Sequence, residues 1–73
     1  MIKIHLSKIL GERRMSQRKL AEIGNLRTST VHMIFNEKAQ RIDFDVLNRL
    51  CKALDVQPGD LFEYIPDSED DEA

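Results

Sequence analysis

Seventy-three residues, 41% hydrophobic and 33% charged, allow one small domain and no second core. No apolar run is long enough to span a membrane, and Lys3, His5 and Lys8 interrupt MIKIHLSKIL where a secretory segment would need an unbroken apolar stretch. The formal net charge of −2 conceals a gradient: residues 1–41 carry nine Lys and Arg against three Glu, a net +6, whereas residues 42–66 come to −3 and residues 67–73 to −5.

A first helix is predicted from Ile2 to about Arg13, with Ile2, Leu6, Ile9 and Leu10 on one side and Lys3, Lys8 and Glu12 on the other. Isoleucine is an indifferent helix former, so packing must supply much of its stability. His5, between Ile4 and Leu6, reads as a partly buried structural histidine, and Met15 as a plug beneath the junction with the next helix. Ser16 can cap that second helix, about Gln17 to Gly24, whose apolar patch is Leu20, Ala21 and Ile23. Gly24 and Asn25 both tolerate the left-handed conformation that ends a helix. Gln17 opens the helix, where its amide and backbone N–H can point at a phosphate or simply face water.

Thr28 or Ser29 is predicted to cap a third helix with Val31, Ile34 and Phe35 at three- and four-residue spacing. Its outward positions are Thr28, Ser29, His32, Met33 and Asn36. Small or polar residues there suit a helix that enters the major groove, and they suit a solvated surface as well. The polar connection 36–41 follows, and Arg27, Lys38 and Arg41 are phosphate candidates by charge and placement. Asp43 is predicted to cap a fourth helix ending near Leu54. Its stripe of Phe44, Leu47, Leu50, Cys51 and Leu54 is the strongest periodic signal in the chain, with Phe44 and Leu47 as expected core anchors. Cys51 has no second cysteine to pair with, and neither histidine lies at ligand spacing from it. A buried thiol in a reduced cytoplasmic protein, with no metal, is the expectation. Proline in a first turn starts a short fifth helix, Pro58 to about Tyr64. Leu61, Phe62 and Ile65 there offer apolar surface for a second copy of the chain. DSEDDEA can bury nothing, so residues 67–73 are predicted to be a disordered acidic tail. With no strand signal or repeat, the expected fold class is all-α: a compact five-helix bundle over residues 1–66.

The order LAEIGNLRTSTVHMIFNEK followed by FDVLNRLCKALDVQPGDLFEY resembles the phage repressor and Cro (Xre-type) family of helix-turn-helix regulators, over nearly all of residues 2–65. Leu20-Ala21, Ser29-Thr30-Val31, Asn36 and the block LCKALDVQPGDLF carry the likeness most specifically. The resemblance implies a lambda-repressor-like DNA-binding domain acting as a homodimeric repressor on double-stranded DNA, without a cofactor. It places the third helix in the major groove, with Thr28, Ser29, His32 and Met33 at base edges. It also assigns Gln17, Asn36 and Lys38 to phosphates, joined by Arg27 and Arg41 on charge. The chain departs from the family pattern at Asn25 and Glu37, which stand where glycine is usual. Phe35 replaces an acidic residue that pairs with an arginine, and packing with Leu10 is the expected substitute. The base-facing set has no bidentate amide or guanidinium, so methyl contacts from Thr28 and Met33, together with His32 and DNA shape, are expected to supply specificity. The other reading is a helical protein-interaction module, such as an antitoxin or adaptor. Nothing in the sequence assembles a catalytic constellation, so no enzyme activity is expected.

Overall fold

Strand β1 (Ile2–Ile4) leads into α1 (Leu6–Arg13), α2 (Gln17–Gly24), α3 (Thr28–Phe35) and α4 (Phe44–Leu54), and the chain then turns through α5 (Pro58–Leu61) into β2 (Phe62–Tyr64). These elements come from a computed structural model that describes residues 1–66; the acidic segment predicted to be disordered lies outside the described residues.

The expected all-α class is corrected by the sheet. β1 and β2 pair antiparallel, with Ile2 opposite Tyr64, Lys3 opposite Glu63 and Ile4 opposite Phe62. The pairing continues past the strands, through His5 N–H to the Leu61 carbonyl (2.8 Å) and Ile65 N–H to the Met1 carbonyl (2.8 Å). The first helix therefore begins at Leu6 and not Ile2, and the last ends at Leu61 and not Tyr64. Ile2-Lys3-Ile4 alternates with period two as well as it fits a helical face, and β-branched residues favour the pleated alternative once a partner strand exists. That partner lies some sixty residues away in the chain, beyond any local signal.

Helix starts follow local chemistry. Ser16 Oγ accepts from Lys19 N–H (3.0 Å), and Asp43 Oδ1 accepts from Val46 N–H (2.8 Å). The exception is α3. Its cap position is Arg27, no side chain caps it, and Thr28 and Ser29 are already its first helical residues. The capping role expected of Thr28 or Ser29 is thus corrected.

Helices α1 to α4 share one way of stopping. Each is followed by a residue in the left-handed region: Arg14 (φ 54°), Asn25 (52°), Glu37 (57°) and Asp55 (55°). The next N–H then closes onto the carbonyl five residues back, in Met15 to Leu10 (2.9 Å), Leu26 to Ala21 (2.9 Å), Lys38 to Met33 (2.9 Å) and Val56 to Cys51 (3.1 Å). Met15, Leu26 and Val56 tuck against the core, as the hydrophobic contact of this motif requires. Lys38 is exposed instead.

The core draws Leu6, Ile9 and Leu10 from α1, Leu20 and Ala21 from α2, Val31 and Ile34 from α3, Leu50 and Leu54 from α4, and Leu61 from α5. Ile23 is exposed, which removes it from the expected α2 patch. Phe44, expected as an anchor, is 87% exposed. It is the first residue of α4, directly after the cap, so it projects from the helix end while Leu50 and Leu54 carry the stripe into the core. Leu47 and Cys51 are half-buried beside them. Leu61 is 1% exposed within its own core, so it is withdrawn from the expected subunit interface, and Phe62 and Ile65 are half-buried. Three contacts tie α4 and its end to the rest of the bundle. The Arg49 guanidinium, steadied within α4 by Asp45 Oδ2 (3.1 Å), donates to the Asn25 carbonyl at 3.1 Å. Arg13 donates to the Leu54 carbonyl. A Cβ on Gly24 would lie 3.1 Å from Leu26 Cδ1 and 3.6 Å from Ala53 Cβ, so glycine lets α2 end close against α4. Among the described residues no helix is long and apolar enough to cross a membrane.

Candidate nucleic-acid interface

Helices α2 and α3 are joined by Asn25, Leu26 and Arg27. Asn25 supplies the left-handed turn that the family pattern meets with glycine, and Arg49 holds its carbonyl from α4. Leu20, Ala21, Val31 and Ile34 fix both helices to the core, which leaves Thr28, Ser29, His32 and Met33 of α3 exposed together with Asn36. Because α3 is uncapped by side chains, the Thr28 and Ser29 hydroxyls have no capping bond to break before meeting another molecule. Eight residues rising about 1.5 Å each make α3 about 12 Å long, with Arg27 at its start and Lys38 just beyond its end.

Gln17, Arg18, Thr28, Ser29 and His32 line one shallow open depression between the two helices. The fold thus joins Gln17, the expected phosphate contact at the start of α2, to the outward face of α3. Arg18 belongs to the same depression; its place beside Gln17 in the first turn of α2 is the signal that could have marked it. His32 Nδ1 lies 3.3 Å from Gln17 Oε1, and Asn36 Nδ2 lies 3.2 and 3.3 Å from the two ring nitrogens while donating to the His32 carbonyl at 2.9 Å. Met33, Lys38 and Arg41 line a second open groove with Thr30 and Val46. Arg27 stands apart from both, in a hollow with Asn25, Asp45 and Arg49.

Glu37 places an acid beside the expected phosphate loop, and the structure turns it the other way. Its Oε1 accepts from Ile4 N–H (3.2 Å) and its Oε2 from Lys3 Nζ (3.1 Å). The Ile4 N–H, with the Lys3 ammonium beside it, holds the carboxyl below the usual carboxylate value. The carboxylate is therefore engaged by β1, and Lys38 beside it is exposed at the end of α3. Phe35 is half-buried and packs against the core that includes Leu10.

The arrangement offers hydroxyl, imidazole, thioether and amide groups along one helix, flanked by cations. Such a surface can meet base edges and phosphates at once. The sequence profile of the Cro/C1-type helix-turn-helix DNA-binding domain matches residues 5–67, which take in every helix described above. The chain is also 35% identical over 66 residues, 90% of its own length and 79% of the relative's, to YozG of Bacillus subtilis (strain 168), described as an uncharacterized HTH-type transcriptional regulator. Sequence profile, relative and helix-turn-helix geometry agree: the chain belongs to the Cro/C1-type helix-turn-helix family of DNA-binding domains.

Proposed function

We propose that this DNA-binding transcriptional regulator is a cytoplasmic repressor that binds a pseudo-palindromic operator as a homodimer, one α3 in the major groove of each half-site. The observation that carries the reading is the uncapped, exposed face of α3 between Arg27 and Lys38, with Gln17 beside it at the start of α2. Thr28, Ser29, His32 and Met33 meet base edges. Gln17, Arg27, Asn36, Lys38 and Arg41 contact phosphates. Two such helices sit about 34 Å apart, one turn of DNA.

The dimer contact proposed is the exposed end of the sheet's apolar face, the face that Ile4 and Phe62 pack against the core. Ile2 and Tyr64 are directly opposed across β1 and β2, so they share a face. They are 60% and 69% exposed; half-buried Ile65 directly follows Tyr64, and half-buried Phe62 lies two residues before it. Apolar area of this kind is stabilised by a second copy.

A selection from randomised duplex DNA tests the reading. Enrichment of an inverted repeat with half-sites one helical turn apart supports it, and recovery of unrelated sequences overturns it. Transcription in vitro from a promoter carrying the selected site is then expected to fall as protein is added. A rise would make the protein an activator.

A further inference from the structure

Thr28, Ser29, His32 and Met33, the residues of α3 proposed to face the bases, include no guanidinium and no amide. Hydroxyls donate or accept at any base, so such a face has no dedicated partner for guanine, whose O6 and N7 are best met by two donors at once. The neighbouring helix carries one. Arg18, in the first turn of α2, lines the shallow depression together with Gln17, Thr28, Ser29 and His32. It is the one permanent cation among the residues around that depression, whereas Lys38 and Arg41 border a second groove and Arg27 a third hollow.

The Arg18 guanidinium is also uncommitted. Arg13 and Arg49 donate to the Leu54 and Asn25 carbonyls, and Lys3 is paired with Glu37. Arg18 is exposed and has no hydrogen-bond or ion-pair partner among the described residues, Glu22 one turn along α2 included. Nothing has to break before it meets DNA, and its N–H donors form a rigid fork that matches a pair of acceptors. Three of its four neighbours in the depression belong to the proposed base-facing set, so its surroundings are those of a base contact more than of a phosphate clasp.

We infer that Arg18 is a specificity-determining residue: from α2 its guanidinium enters the major groove beside α3 and takes O6 and N7 of a guanine bidentately. The reading surface then spans both helices of the motif. The inference rests on the proposed DNA-binding mode and adds a base contact to it.

The test uses the full chain and its Arg18→Ala variant in parallel selections from randomised duplex DNA. The wild-type site is expected to hold a guanine in each half-site whose preference disappears in the variant, with the other positions unchanged. Replacing that guanine by 7-deazaguanine in one half-site removes the N7 acceptor. Wild type should then bind about tenfold more weakly, as loss of a hydrogen bond to a charged donor would do, while Arg18→Ala should bind the two duplexes equally. Because Arg18 is exposed and unpartnered, the variant should melt with wild type. The same selected site from both chains, with Arg18→Ala weaker on operator and unrelated duplex by one factor, would make Arg18 a phosphate contact and overturn the inference. So would affinity and selected site both unaltered by Arg18→Ala. Either result leaves the DNA-binding mode standing. A wild-type chain that retains no duplex at any salt overturns the binding mode itself, and the inference with it.

Discussion

Glu37 shows how one side chain can reverse the sense of its own charge. It stands at a left-handed position where a glycine would be free of strain, and it lies next to a proposed phosphate contact. The contacts with Ile4 and Lys3 turn that acid into a link between the sheet and the end of the reading helix. Its effect on stability has a definite sign. The folded carboxyl titrates below its unfolded value of 4.5, because the Ile4 N–H and Lys3 favour the charged form. The stabilisation is fully present above that value and is lost as pH falls through the lower, folded one. Glu37→Gln should therefore be less stable than wild type at pH 7, with the difference closing in urea titrations carried below pH 4. A difference that persists once the folded carboxyl is itself protonated would mean that charge is not what Glu37 contributes. None of this was legible in the sequence, which shows an acid beside Lys38 and gives no sign that β1 comes alongside.

At the scale of elements, the helix ends divide by function. Ser16 and Asp43 were readable as caps from residue type alone, and both form the expected bond. Ser16→Ala and Asp43→Ala should each cost about 1 kcal/mol in thermal or urea unfolding. Ser29→Ala should fall within about 0.5 kcal/mol of wild type, because Ser29 caps nothing, while altering operator preference. A loss as large as that of Asp43→Ala would return Ser29 to a capping role. The carboxyl ends carry the opposite lesson. Arg14 and Asp55 hold left-handed conformations that cost a residue with Cβ about 1 kcal/mol. Arg14→Gly and Asp55→Gly should each stabilise the domain by up to that amount, and unchanged or lower melting temperatures would show that side-chain contacts outweigh the strain. The apolar stripe of α4 was legible as a stripe, but Phe44 was not legible as exposed. Periodicity names a face without saying how far along the helix the core reaches.

For the whole molecule, the +6 half and the helical block after Asp43 pointed to a basic, bundle-supported reading head, and that much of the candidate site could be read from residues 16–54. The strand pair could not, since its two halves are joined only by the fold. That pair also carries the proposed subunit contact. Ile2→Lys with Tyr64→Lys should leave the protomer folded and shift its sedimentation to a monomer at concentrations where wild type is a dimer. Dimers that persist would move the interface elsewhere.

The central claim is that α3 and its flanking cations form a DNA-binding face, and the salt dependence of operator affinity tests it most directly. Arg27, Lys38 and Arg41 from two subunits make six cations, so the logarithm of the association constant should fall against the logarithm of salt concentration with a slope of about −5. Replacing all three with alanine should remove most of that slope for operator and unrelated duplex alike. A slope near zero in the wild-type chain, or an unchanged slope in the triple variant, would contradict the account.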